Sequence, residues 1–204
     1  MYGKFITLEG VESSGKSTQW QLLGDYCKER NIPHILIREP GSTYLGEKIR
    51  SLLQHDSKAV ISPLAEAYLF AASRAQLVLE VIKPSLQLGK LVICDRFIYS
   101  SLVYQGVGRA LGVNTINEIN LHALCGITPN ITFFLDIPLN ISLMRMNELP
   151  LDRIENESID FHKSIYNGYT TLLNKNDDTI IRIDGTLQAQ DIHNKIVTHL
   201  EEVL

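Results

Sequence analysis

The sequence predicts an α/β fold in three layers, α/β/α, with a five-stranded parallel sheet in the middle and residues 1–204 forming one domain. Three observations lead there. Five short apolar runs alternate with helically periodic stretches along the chain. Gly10-Val11-Glu12-Ser13-Ser14-Gly15-Lys16-Ser17 spells G-x-x-x-x-G-K-S between the first such run and the first helical stretch. Arg38-Glu39, Asp95-Arg96 and Asp136 all fall where an apolar run gives out. Ligands of open parallel sheets sit beyond the carboxyl ends of the strands. These residues and the glycine loop are therefore expected to converge on one crevice.

The first strand is expected over residues 4–9, and the G-x-x-x-x-G-K-S stretch after it is a phosphate-binding P-loop. Gly10 and Gly15 let the backbone curl so that N–H groups point at an anion, and the helix beginning near Lys16 aims its positive end at the same point. Lys16 adds a full charge for the β- and γ-phosphates, and the Ser17 hydroxyl suits Mg²⁺. Strand, glycine loop and helix together make this a P-loop NTPase, with a short lid over residues 145–156. Trp20, Leu22, Leu23, Tyr26 and Cys27 give residues 18–30 helical spacing. A second strand follows Pro33 at residues 34–37, then a turn-rich loop over 38–43. Residues 46–54 read as a helix with Ile49, Leu52 and Leu53 inward. Pro63 starts another that runs over 64–79, and Pro84 and Gly89 frame an ending. Residues 90–95 are apolar enough for a strand buried on both faces. Further strands are expected at 131–136 and 179–184, and a last helix at 188–204.

Hydrophobic residues make up 45 % and charged residues 21 %, the composition of an ordinary globular chain. Nineteen basic against twenty-three acidic side chains give a net charge of −4, which argues against a nucleic acid as partner. One nucleotide needs only a local basic pocket. Cys27, Cys94 and Cys125 are few, odd in number and far apart, so reduced thiols and no structural zinc are expected. With a strand by Lys4 there is no room for a signal peptide, and no apolar run reaches the ~20 residues of a membrane helix. A cytoplasmic enzyme that touches no membrane is the default expectation.

A P-loop alone does not separate a kinase from a nucleotide-dependent switch. The stretches after the other strands narrow the choice. Arg38-Glu39-Pro40-Gly41, Phe70-Ala71-Ala72-Ser73-Arg74, Asp95-Arg96-Phe97, residues 100–106 and Asp152-Arg153-Ile154-Glu155 resemble thymidylate kinases, in the right order and over nearly the whole chain. The resemblance implies transfer of a phosphoryl group from ATP to dTMP with Mg²⁺, in dTTP biosynthesis, by a homodimer. The alternatives are a kinase for another pyrimidine monophosphate, UMP or dCMP, and a slowly hydrolysing switch. The apolar face of residues 64–79 suits a dimer interface, though core burial explains it equally.

Phe70 and Arg74 are four apart and share a helix face, offering an aromatic plate and a guanidinium fork. A pyrimidine can stack on Phe70 while Arg74 donates to a carbonyl at position 4, which cytosine lacks. Plain core packing is the commoner fate of a helical Phe. By resemblance, Ser100, Ser101 and Gln105 complete the dTMP site and Tyr104 lies under the sugar. Arg50 and Arg96 grip the dTMP phosphate, with Arg38 ordering the same loop. Glu12 accepts from the 3′-hydroxyl, and Glu39 helps position acceptor or metal. Gly10, Val11, Glu12, Ser13, Ser14, Gly15, Lys16, Ser17 and Thr18 hold ATP. Asp95 joins Ser17 as a metal ligand. Lys16, Asp95, Arg96 and Arg153 are the candidate catalytic groups. Val11 to Ser14 carry no base, so the lid must supply the arginine, and Arg153 is the candidate. Arg145 resembles the residue that packs on adenine, with Gly185-Thr186 alongside.

Overall fold

The structure, a computed structural model, describes residues 2–55, 60–148, 150–174 and 178–204. Leu149, inside the expected lid, and residues 1, 56–59 and 175–177 of the expected single domain lie outside the described residues. Strand β1 (Phe5–Glu9) leads through the glycine loop into helix α1 (Lys16–Glu29), and β2 (His34–Arg38) follows. Helix α2 (Tyr44–Arg50) runs on as a π-helical turn, Ser51–His55. Helix α3 (Pro63–Leu77) runs on through a similar turn, Val78–Ile82, into α4 (Lys83–Gln87). Next come β3 (Leu91–Asp95), α5 (Ile98–Ser101) with a π-helical continuation Leu102–Gly108, and α6 (Val113–Leu121). Strand β4 (Ile131–Asp136), α7 (Leu139–Met146), α8 (Ile159–Leu173), β5 (Ile180–Asp184) and α9 (Ala189–Glu201) complete the order.

The five strands form one parallel sheet in the order β2-β3-β1-β4-β5. Strands β1 and β4 are buried along almost their whole length, as is β3, because helices cover both faces. On one face Leu23, Cys27, Ile192, Ile196 and Leu200 from α1 and α9 pack on Ile6, Leu8, Ile93 and Phe133. On the other, Leu77, Val78, Ile82 and Leu86 pack on Phe5, Val92 and Cys94. Burying such aliphatic side chains stabilises a fold by about 1.5–3 kcal/mol each.

Two local expectations need correcting. Pro84 does not end a helix. It sits in the first turn of α4, where its missing N–H is harmless, and the chain stays helical to Gln87 before Gly89 turns with φ 73°. Leu52 was expected to face inward but is exposed, because the widened turn after α2 rotates it outward while Leu53 stays buried.

Candidate active site

The carboxyl ends of β1, β2 and β3 open on one cleft of about 310 Å³. Its lining takes in Glu12, Lys16 and Ser17 from the glycine loop, Arg38, Glu39 and Arg50 from around β2 and α2, and Phe70 and Arg74 from α3. Asp95, Arg96, Ser100, Ser101, Tyr104 and Gln105 enter from β3 onward, and Asp152, Ile154 and Glu155 from the lid.

The glycine loop is held in its curled form by residues that sequence reading singled out. Gly10 adopts φ 150°, and a Cβ there would lie 2.7 Å from both the Leu135 carbonyl and Ser14 Oγ. Gly15 adopts φ 97° where α1 begins. Lys16 Nζ donates to the carbonyls of Gly10 (3.1 Å) and Val11 (2.7 Å) and to Ser14 Oγ (3.2 Å). Burial first, and the nearby Arg96 guanidinium second, push its pKa down to about 8 against the pull of Asp95, Glu12 and Glu9. Ser17 and Thr18 follow in the first turn of α1, both exposed. Ser17 Oγ donates to Asp95 Oδ2 at 3.1 Å, while Asp95 Oδ1 is buried with no hydrogen-bond partner among the described residues. Arg145 reaches the loop from α7 and donates to the Ser13 carbonyl at 3.1 Å. Gly185 lies beside it: a Cβ there would stand 3.3 Å from the Ser14 carbonyl.

Arg96 turns into the cleft from a left-handed backbone, φ 68°, an unusual conformation for a residue with a Cβ. Its guanidinium donates to the Gly10 carbonyl (3.0 Å), Ser100 Oγ (3.1 Å) and Glu12 Oε1 (3.3 Å), and lies over the Tyr104 ring. Tyr104 Oη lies 2.5 and 2.6 Å from the two Glu12 oxygens. Burial works to raise the Glu12 pKa, but Arg96, Lys16 and Tyr104 outweigh it and hold the carboxyl below its usual range. Arg50 donates to the Pro40 carbonyl at 3.1 Å, and Arg38 pairs with Glu47 at the cleft mouth.

Arg74 is 1 % exposed and locked in place. Glu39 Oε2 accepts from its Nε (2.9 Å) and Nη2 (2.6 Å), Asn120 Oδ1 from Nη1 (2.5 Å), and Ser101 Oγ from Nη2 (3.1 Å), with the Phe97 ring beneath. Burial drives the Glu39 pKa up to about 7, although Arg74 pulls it down. Its Oε1 is buried without a hydrogen-bond partner among the described residues.

Of the residues expected at the site, Glu12, Ser13, Lys16, Ser17, Glu39, Arg50, Phe70, Arg74, Asp95, Arg96, Ser100, Ser101, Tyr104 and Gln105 line the cleft, while Gly10, Val11, Ser14, Gly15 and Thr18 stand behind it in the loop and the first turn of α1, with Arg145 and Gly185 beside them. Asp136 was expected in the same crevice but does not line it: Arg182 on the neighbouring strand β5 binds its carboxylate instead. Arg153 is placed differently. Its guanidinium donates to the Leu53 carbonyl (2.7 Å) and Glu66 Oε2 (2.6 Å), away from Lys16 and Asp95, and it does not line the cleft. Sequence reading missed several buried polar groups that hold the site. Glu9 at the end of β1 accepts from the Phe97 and Ser100 N–H groups, from Ser100 Oγ and from Tyr169 Oη. Ser142 Oγ donates to the Glu12 carbonyl, and Asn120 orients Arg74. Glu66 gathers Gln105, Arg109 and Arg153. One signal was available: Glu66, Phe70 and Arg74 stand at four-residue intervals on one helix. Among the described residues, no group of three or more His, Cys, Asp or Glu is arranged to hold a metal, and no helix is long and apolar enough to cross a membrane.

Comparison with known proteins gives concordant findings. The thymidylate kinase family model matches residues 8–196. A thymidylate kinase of Fervidobacterium nodosum is 47 % identical over 193 residues, covering 95 % of this chain and 96 % of its own. One from Kosmotoga olearia is 43 % identical over 194 residues, covering 95 % and 93 %. The crystal structure of thymidylate kinase from Ehrlichia chaffeensis superposes with a TM-score of 0.77 at 30 % identity, covering 98 % of this chain and 99 % of that one.

Proposed function

The chain belongs to the thymidylate kinase family and phosphorylates dTMP to dTDP, and we propose a division of labour among its cleft residues for that reaction, with ATP as donor and Mg²⁺ as cofactor. One observation carries the reading. A phosphate-binding loop and a wall of Phe70, Arg74, Ser101 and Gln105 face the same cleft, so a triphosphate and a pyrimidine nucleotide can meet within it.

ATP lies with its phosphates in the curl of residues 10–18, against Lys16 and the start of α1. Adenine lies between Arg145 and the Gly185-Thr186 backbone, beside the loop to which Arg145 is bonded. The oxygens of Ser17 and Asp95 suit a hard cation that keeps waters and phosphate oxygens as its other ligands, and the unpartnered Asp95 Oδ1 fits that use. When bound, Mg²⁺ neutralises charge on the β- and γ-phosphates. Thymine stacks on Phe70, with Arg74 donating to O4 and Gln105 meeting N3–H. Tyr104 lies under the sugar and Glu12 accepts from the 3′-hydroxyl. Arg96 and Arg50 grip the dTMP phosphate. Ser100 and Glu39 brace Arg96 and Arg74, respectively.

Phosphoryl transfer then depends on position and charge rather than on a covalent intermediate. Lys16 and Arg96 both donate to the Gly10 carbonyl, and from there they stabilise the negative charge shared by donor and acceptor phosphates. Arg153 joins them only by exchanging Glu66 for the transferring group, which makes its catalytic role a property of a rearranged lid over residues 145–156. The homodimer reading is supported by apolar side chains on the outer side of α3 and the turn after it, where Leu64, Tyr68 and Leu79 are exposed. A cytoplasmic setting suits the nucleotide substrates.

A kinase for UMP or dCMP is not favoured, given the family. A guanine-nucleotide switch gains little from Asn174-Lys175-Asn176-Asp177, although it spells N-K-x-D. Residues 175–177 of that stretch lie outside the described residues, and the family that matches the chain is a kinase family. The test is a panel of nucleoside monophosphates with ATP and Mg²⁺. ADP should form rapidly only with dTMP and dUMP; equal turnover of dCMP or UMP, or ADP release without an acceptor, would overturn the reading.

A further inference from the structure

Glu66 lies one helical turn from Phe70 and two from Arg74 on the same face of α3, with its side chain 2 % exposed. Its carboxylate accepts four bonds. Gln105 Nε2 (3.0 Å) and Arg109 Nε (3.1 Å) donate to Oε1, while Arg109 Nη2 (3.1 Å) and Arg153 Nη2 (2.6 Å) donate to Oε2. Burial works to raise its pKa, but these hydrogen bonds outweigh it and hold the carboxyl below its usual range. Glu66 is therefore ionised at neutral pH and accepts without donating.

That fixes the neighbouring amide. Glutamine carries an acceptor at one end and a donor at the other, and in neutral surroundings it turns either end to a ligand. Facing a carboxylate gripped from two sides by arginines, Gln105 must turn its NH₂ to Glu66, which directs its oxygen away. Gln105 also lines the cleft next to Phe70, Arg74 and Ser101.

We propose that Glu66 is a positioning residue that sets base specificity: by locking the Gln105 amide it presents an acceptor to ring position 3 of the pyrimidine. This rests on the dTMP kinase reading and adds to it a second selector, independent of Arg74. Thymine and uracil carry an N3–H that such an acceptor receives. Cytosine carries a bare N3 lone pair, which meets another lone pair and leaves both groups unpaired in a buried site. Arg74 reads position 4, and the Glu66–Gln105 pair reads position 3. Since Arg153 grips the same carboxylate, the lid in this position also holds the base selector.

The experiment compares kcat/KM for dTMP and dCMP in the wild-type enzyme and in Glu66→Gln. Glutamine at 66 offers either a donor or an acceptor, so Gln105 is released to turn. The ratio of dTMP to dCMP should fall by ~10-fold or more, with dCMP gaining relative to dTMP. A merely structural loss would lower both alike and leave the ratio standing, and that outcome overturns the proposal. A wild-type enzyme with no preference for dTMP would instead refute the kinase reading itself. Should Glu66→Gln fail to fold, the side-chain amide of Gln105 in the wild-type protein decides. Its ¹⁵N-correlated NH₂ signals, assigned by their loss in Gln105→Met, should exchange slowly with water both before and after dTMP is added. Fast exchange in the free enzyme would mean that the amide is not locked, and the proposal falls.

Discussion

Raising the pH should disarm this enzyme through Lys16. The side chain is 6 % exposed, and burial followed by the Arg96 charge brings its pKa from 10.5 to about 8. Phosphate binding requires the ammonium form, which predominates below that value and is lost as pH rises through it. Because kcat/KM reports ionisations of the free enzyme, log kcat/KM for ATP should fall with unit slope above about pH 8, or ~10-fold per pH unit. Stability should move the other way. Between the folded pKa of about 8 and the unfolded value of 10.5, the unfolded chain binds more protons, so this group makes folding more favourable as pH rises. Activity lost without a matching loss of melting temperature therefore separates deprotonation from unfolding. The assay is steady-state turnover from pH 6.5 to 10 beside thermal melts over the same range. Lys16→Arg, which keeps its charge throughout, should lose this limb of the profile even if its turnover is lower. Calorimetry near pH 8.5 in buffers of different ionisation heat should also find a proton taken up as ATP binds. A wild-type profile flat to pH 9.5, or an identical fall in Lys16→Arg, would refute the argument.

Arg153→Ala should lower kcat by ~10³-fold if the arginine leaves Glu66 for the transferring phosphoryl, with dTMP binding to the free enzyme nearly unchanged. Arg96→Ala is the control and should damage both binding and turnover; near-normal kcat in Arg153→Ala would leave that arginine only its hold on Glu66. Arg74→Ala removes the cation paired with Glu39 in the core and, measured at pH 9 where the wild-type carboxyl is ionised, should cost about 3–5 kcal/mol, a drop in Tm on the order of 10 °C by thermal melt that shrinks as pH falls and Glu39 takes up a proton. A melt within a degree of wild type would mean that water reaches Glu39 freely. Asp95→Asn removes the charge beside Ser17 and should raise the half-saturating Mg²⁺ concentration ~10-fold or more at fixed ATP. An unchanged Mg²⁺ titration would remove Asp95 from the metal site.

What the sequence determined by itself was local. A G-x-x-x-x-G-K-S run between an apolar strand and a helix can curl in one useful way, so the phosphate loop was legible from eight residues. The central strands β1, β3 and β4 were legible because parallel strands covered on both faces must be apolar along their length, and the edge strands β2 and β5 by shorter apolar runs. Phe70 and Arg74 declared a shared face through their spacing, and Arg38, Asp95 and Arg96 declared themselves by standing at strand ends. The order of the strands was not written in any one segment, because it depends on which edges pair: β1 lies between β3 and β4, each far from it in sequence. The partners of the buried charges were likewise hidden. Glu66 draws Gln105, Arg109 and Arg153 from 39, 43 and 87 residues away, and Arg74 meets Asn120 across 46. A periodicity argument says that such a side chain faces inward, but not which opposite charge meets it. Burying an ion is tolerable only when partners arrive from other elements. Only the tertiary structure therefore decided that Arg153 holds Glu66 in this position of the lid, and that Arg74 comes to the base already held by Glu39, Asn120 and Ser101.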